Sequence, residues 1–120
     1  MQSTQPELIY KVATAASFAP ARLSGHYAGV PVDLADGYMH FSTAAQLPET
    51  LRRHFAGQGD LLLLAVRAAD LGPGLAWEPS RGGELFPHLY DGPLPLSAIL
   101  WEEPIRVAAD GSCTLPERVK

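Results

Sequence analysis

One run limits the fold of this chain more than any other: Leu61-Leu62-Leu63-Leu64-Ala65-Val66 is apolar at every position. Turn-forming segments bound it, Gly57-Gln58-Gly59-Asp60 before and Ala69-Asp70-Leu71-Gly72-Pro73-Gly74 after. Six residues between turns are too few for a buried helix, and a strand apolar on both faces belongs in the middle of a sheet. The rest of the chain is divided as finely. Eleven glycines and eleven prolines in 120 residues ask for many turns and short elements, and they rule out a helical bundle.

The stretch Asp36-Gly37-Tyr38-Met39-His40-Phe41-Ser42-Thr43 is the second constraint. Read with a period of two, Met39 and Phe41 enter a core, while Tyr38, His40 and Ser42 share the opposite face. A phenol, an imidazole and a hydroxyl on one strand face point to a ligand cleft. Thr43-Ala44-Ala45-Gln46 has the pattern of a capping box and opens a helix, regular from about Pro48 to Phe55. Leu47, Leu51 and Phe55 give that helix its buried face, with Arg52, Arg53 and His54 as a solvated flank.

The other elements are shorter. Leu8-Ile9-Tyr10-Lys11-Val12-Ala13 reads as a first strand, with Lys11 at an exposed edge because lysine heads keep to water. Ser17 caps a short helix with Ala19 and Leu23 as its buried stripe, ending at Gly25. Residues His26 to Asp36 read as irregular, with His26 on the surface. Leu75-Ala76-Trp77-Glu78 and Leu96 to Trp101 read as strands, and Ser80 to Gly92 as a functional loop. Asp110-Gly111 marks a closing turn before a loose end at Lys120, and Met1 to Pro6 a loose lead-in. These elements give one α+β domain over 1–120 with its core at about 8–104.

Bulk properties remove several function classes. A net charge of −4 with no clustered basic face argues against duplex nucleic acid. The Leu61 to Val66 run is about a third of a membrane span, and Met1 is followed by polar residues without an apolar leader core. A single cysteine, Cys113, forms no internal disulfide and no cysteine cluster, so the expected setting is the cytoplasm. A monomer or weak dimer is expected.

Three kinds of chemistry are open to these residues. The first is a nucleotide or ribose-phosphate pocket: Arg81 and the backbone of Gly82 and Gly83 would hold phosphate, Tyr38, His40 or Tyr90 would hold ribose or base, and Glu84 or Glu78 would act on a hydroxyl. The competing reading makes Gly82-Gly83 a plain turn with Arg81 paired to Glu84. The second is a metal held by His40, His88 and Glu84. No ligand spacing supports it, so no metal is expected. Ser42 lacks the elbow of a hydrolase nucleophile. The third is an interaction surface made of Trp77, Phe86, Leu89 and Trp101, residues that a small domain more often buries.

Several segments in order resemble a known family: Leu8-Ile9-Tyr10-Lys11, Asp36 to Gln46, His54-Phe55, Trp77-Glu78, Ser80-Arg81-Gly82-Gly83 and Phe86-Pro87-His88-Leu89-Tyr90. Together, from about Leu8 to Trp101, they are similar to the bacterial and plant family called domain of unknown function 952. The resemblance implies a fold like that of ADP-ribosyltransferases, a small α+β architecture of two packed sheets, and it brings in NAD as a possible cofactor. His40-Phe41-Ser42 looks like the His-x-Ser strand that lines the NAD cleft of RNA 2′-phosphotransferases. Tyr10-Lys11 stands where those proteins carry a ribose-binding histidine, which is a departure. On this resemblance Lys11 and Arg81 take phosphate, His40 and Tyr90 hold ribose or base, and His40, Glu84 and His88 are the candidates for catalysis. Glu102 follows a late strand with nothing local to mark it as catalytic.

Overall fold

The computed structural model describes residues 6–90 and 92–119. The lead-in at 1–5, Asp91, the Arg81 side chain and Lys120 lie outside the described residues. In chain order the elements are β1 (Leu8–Thr14), α1 (Ala15–Phe18), α2 (Ala21–Ser24), β2 (His26–Tyr27), α3 (Pro31–Asp36), β3 (Met39–His40), α4 (Leu47–His54), β4 (Leu61–Arg67), β5 (Leu75–Pro79), β6 (Leu85–Leu89), β7 (Leu94–Pro95) and β8 (Ile99–Ile105). They form a small α+β domain with antiparallel sheets in the orders β1-β4-β8 and β3-β6-β5, plus a two-stranded ribbon β2-β7. The ribbon adds a third small sheet to the two expected.

The apolar run is the central strand β4, as its pattern requires. Leu64 and Val66 enter one buried cluster with Ile9, Ala13, Met39, Phe41 and Leu89. Leu61, Leu63 and Ala65 enter a second with Tyr10, Val12, Leu47, Leu51, Ile105 and Val107. The first cluster fills the space between the two main sheets, and the second lies under α4 and the C-terminal segment. Cys113, Leu115 and Val119 pack against the second cluster, so the chain beyond 104 contributes to the core.

Two expectations near the N-terminus need correction. The single helix capped by Ser17 is two short helices, and the cap is Thr14, whose hydroxyl accepts the Ser17 N–H. Phe18 and Ala21 are buried on them, while Leu23 is 95% exposed. Four-residue helices are too short for an i, i+4 stripe to decide burial. Residues 31–36, read as irregular, form α3, begun by Pro31 and ended by Gly37 at a φ of 82°.

The Ser80 to Gly92 segment contains β6, the middle strand of its sheet, with Pro87 in it. Proline is excluded from central strands because it has no N–H to donate. Here the Pro87 carbonyl accepts the Phe41 N–H, and the N and O of a strand residue point to the same side. The missing donor would therefore face the chain where β3 has already ended. Past that point the chain leaves β6 and bridges β1: the Tyr10 N–H donates to the Ser42 carbonyl at 2.8 Å and the Ser42 N–H to the Tyr10 carbonyl at 2.9 Å. One backbone stretch thus belongs first to one sheet and then to the other, and the sheets part around it.

Candidate functional site

A cavity of about 770 Å³ opens where the sheets part. Lys11 and Val12 of β1, Asp36 of α3, Tyr38 and His40, Ser42, Thr50 and Arg53 of α4, and His88 of β6 are among the residues on its wall. Tyr38, His40 and Ser42 all line it, as does Phe41, which with Met39 is otherwise buried in the core. The capping box also forms. The Thr43 N–H donates to Gln46 Oε1 and the Gln46 N–H to Thr43 Oγ1, and Gln46 Nε2 donates to the Leu85 carbonyl, tying the start of α4 to β6.

Asp33 organises one side of the site. Its side chain is 2% exposed and accepts four hydrogen bonds. Oδ2 takes Lys11 Nζ at 2.6 Å and the Val30 N–H at 2.9 Å. Oδ1 takes the His40 N–H at 3.0 Å and His40 Nδ1 at 2.7 Å. Burial pushes this carboxyl up, but the hydrogen bonds from His40 and the charge of Lys11 outweigh it and hold it at about 2. Gly29 makes room: at a φ of 109°, a Cβ there would stand 2.6 Å from Asp33 Oδ2.

Lys11 is the clearest correction to the sequence reading. It is 3% exposed, not at an open edge, and donates to Asp33 and to the His40 carbonyl at 3.0 Å. Burial draws its ammonium below the ordinary lysine value, against the opposing pull of Asp33. A lysine head buried this far needs an internal anion, and Asp33 supplies it.

The second histidine is built in the same way. His88 Nδ1 lies 2.7 Å from Glu78 Oε1, which also accepts the Tyr90 hydroxyl at 2.7 Å. These two donors hold Glu78 below the ordinary carboxylate range, and the bond to Glu78, followed by burial and nearby charge, pushes Tyr90 up to about 12. His40 and His88 are directly opposite in the β3–β6 register, with ring centroids 5.4 Å apart. The Tyr38 ring lies against both, at 4.6 Å and 4.4 Å, and against Tyr90 at 5.1 Å. His40 Nε2 lies 3.0 Å from Asp36 Oδ2.

The structure thus gathers Lys11, Tyr38, His40, Ser42 and His88 on one cavity, with Tyr90 beside Tyr38. It does not bring Gly82, Gly83 or Glu84 there. They form the exposed turn between β5 and β6, where the Gly83 N–H donates to the Ser80 carbonyl and the Ser80 N–H to the Glu84 carbonyl. Of that turn, Ser80 reaches the cavity wall. Ser42 Oγ is 2.9 Å from Thr50 Oγ1. Glu102 pairs with Arg22 at 2.5 Å, away from the site. Among the described residues no group of three or more His, Cys, Asp or Glu side chains is placed to hold a metal, and no helix is long and apolar enough to cross a membrane. Phe86 and Leu89 are buried, and Trp77 and Trp101 pack against the two core clusters, which accounts for the apolar residues considered as an interaction surface.

Sequence reasoning missed Asp33, and it gave Asp36 no role in the site. The available signal was an acid three residues after Val30 behind Pro31, the pattern of a carboxylate turned back on a helix start.

Fold and cleft together define the class: a small α+β domain in which two paired strands present two carboxylate-backed imidazoles to a cavity. The chain belongs to the family described as protein of unknown function (DUF952), whose profile matches residues 12–102. It is similar to protein CC0527 from Caulobacter crescentus. The X-ray structure of that protein shares 46% identity over 90% of this chain and 94% of that one, with a TM-score of 0.84. Its solution NMR structure shares 46% identity over 89% and 91%, with a TM-score of 0.77. No curated protein matches.

Proposed function

We propose that this protein binds an NAD-like or ribose-phosphate ligand in the cleft between its two main sheets. The observation that carries the reading is the convergence of the His40–Ser42 stretch with Lys11 and His88, each distant from it in sequence, on one cavity of about 770 Å³. That volume lies within the range of small-molecule sites. Tyr38, His40 and Tyr90 offer ring faces and hydroxyl partners to ribose or base. With the Lys11 ammonium engaged by Asp33, phosphate falls to Arg81, next to Ser80 on the cavity wall. The His40-Phe41-Ser42 segment between two parting sheets supports kinship with the ADP-ribosyltransferase fold, and under this reading the protein works in the cytoplasm as a monomer or weak dimer. One observation favours a second reading, a ligand-binding or interaction domain without catalysis: Lys11, where a ribose-binding histidine is expected, is locked to Asp33.

Thermal-shift titration with NAD, ADP-ribose, AMP and ribose phosphates tests the proposal. A ligand at about 100 times its dissociation constant stabilises by about 2.7 kcal/mol, several degrees for a domain of this size. The expected result is a shift with at least one ligand that His40→Ala and Arg81→Ala both lose. No shift across the panel refutes it.

A further inference from the structure

The two facing imidazoles differ in their partners. His40 meets a carboxylate at each ring nitrogen, Asp33 at Nδ1 and Asp36 at Nε2. A carboxylate 2.7 Å from Nδ1 and another 3.0 Å from Nε2 favour a proton on each nitrogen. His88 meets a carboxylate at Nδ1 alone, Glu78, and a proton there leaves the lone pair on Nε2. One ring is set to give a proton and the ring opposite to take one, the division of roles that acid–base catalysis needs. Asp36 also lines the cavity, so the proton-bearing edge of His40 opens on it.

The surroundings select the charge that can develop. The Lys11 cation is matched by Asp33 and the Arg53 cation on the wall is paired with Glu49, while Asp36 and Glu78 remain beside the rings. The Tyr38 ring rests against both imidazoles. Carboxylates and aromatic faces favour a growing positive charge and oppose an anion. A sugar losing the substituent of its anomeric carbon grows such a charge.

We infer that His40 and His88 form an acid–base pair that hydrolyses the N-glycosidic bond of a ribonucleoside or its monophosphate with an uncharged leaving base. The inference rests on the ribose-ligand reading above and gives it a reaction. His88 Nε2 takes a proton from water as the water oxygen bonds to C1′ of the ribose. The C1′–N bond breaks, its electron pair goes to the base nitrogen, and His40 Nε2 delivers a proton there. Riboside and water become ribose and free base, and solvent returns the proton from His88 to His40. A leaving base that is already cationic would have no use for the acid, so the His40 arrangement selects neutral bases.

The test measures release of free base from inosine, adenosine and AMP by chromatography, beside hydrolysis of 4-nitrophenyl riboside, whose leaving group departs without a proton. Wild type is expected to cleave both kinds of substrate. His88→Gln should lose both by about 10²–10⁴-fold, the usual scale of such a group. His40→Gln should lose as much on inosine yet stay within about tenfold on the nitrophenyl riboside. Asp36→Asn, at an exposed carboxylate, should show the same split more weakly. Equal loss on both substrates in the His40 and Asp36 variants overturns the inference, because a structural role ignores the leaving group. A thermal shift with these ribosides but no released base overturns it while ligand binding stands, and no release together with no shift from these ribosides or from the nucleotide panel above overturns both.

Discussion

Replacing Asp33 with asparagine tests the central electrostatic argument. The carboxylate sits 2% exposed among four donors, and the Lys11 ammonium beside it is equally buried. An amide accepts at one of the two oxygen positions only, so one pair of donors faces an NH₂ group and Lys11 keeps a buried, unmatched charge. Breaking a buried pair this way costs about 3–5 kcal/mol. That is a large share of the roughly 5–15 kcal/mol that hold such a domain together, and it lowers the melting temperature by roughly 12–20 °C. Adding Lys11→Met removes the stranded charge, so the double variant should regain at least about half the loss. Urea unfolding near neutral pH measures all three proteins. Acid supplies a second reading. The Asp33 carboxyl is held at about 2, below the ordinary value of 3.8, so its contribution is complete above about pH 4 and is lost as pH falls through about 2. The size is about 2 kcal/mol, and the gap between wild type and Asp33→Asn should narrow by that much over this window. The reasoning fails if Asp33→Asn stays within about 1 kcal/mol of wild type, or if Lys11→Met deepens the loss.

Two further outcomes follow from the same geometry. Gly29→Ala, at a φ of 109° and with its new Cβ 2.6 Å from Asp33 Oδ2, should destabilise by more than about 1 kcal/mol on thermal melting, and a neutral result would contradict the close approach. In an alkaline titration followed by tyrosinate absorbance, Tyr27 and Tyr90 should each ionise near 12, with Tyr90 losing much of its delay in Glu78→Gln. A Tyr90 that titrates at the ordinary value in wild type would remove its hydroxyl from Glu78.

The parts of this fold legible in sequence are those in which a residue's neighbours along the chain settle its environment. Six apolar residues between turns place β4, alternation places Met39 and Phe41 opposite His40 and Ser42, and the Thr43–Gln46 pairing is local. The parts that were illegible depend on partners far along the chain. Lys11 reads as exposed until Asp33 arrives from another element to neutralise it, and Asp33, in a segment read as irregular, goes unremarked for the converse reason. Pro87 forbids a central strand unless the neighbouring strand ends beside it, which no window around Pro87 reveals. His88 could be picked out by residue type, but its role depends on Glu78 across a hairpin and on His40 in the opposite register.

The crossing of one backbone between two sheets has a mechanical consequence. To widen the cleft, the Phe41–Ser42 segment must release either the Pro87 carbonyl or its pair with Tyr10, and all of these lie in the folded interior. Opening is then a partial unfolding with a free-energy cost near that of the core, not the breathing of a loop. The amides of Tyr10, Phe41 and Ser42 would exchange with solvent only as often as the sheets separate. Under the proposed function, a ligand would meet a cleft of fixed outline with no closing step, so a bulkier one would be refused instead of accommodated.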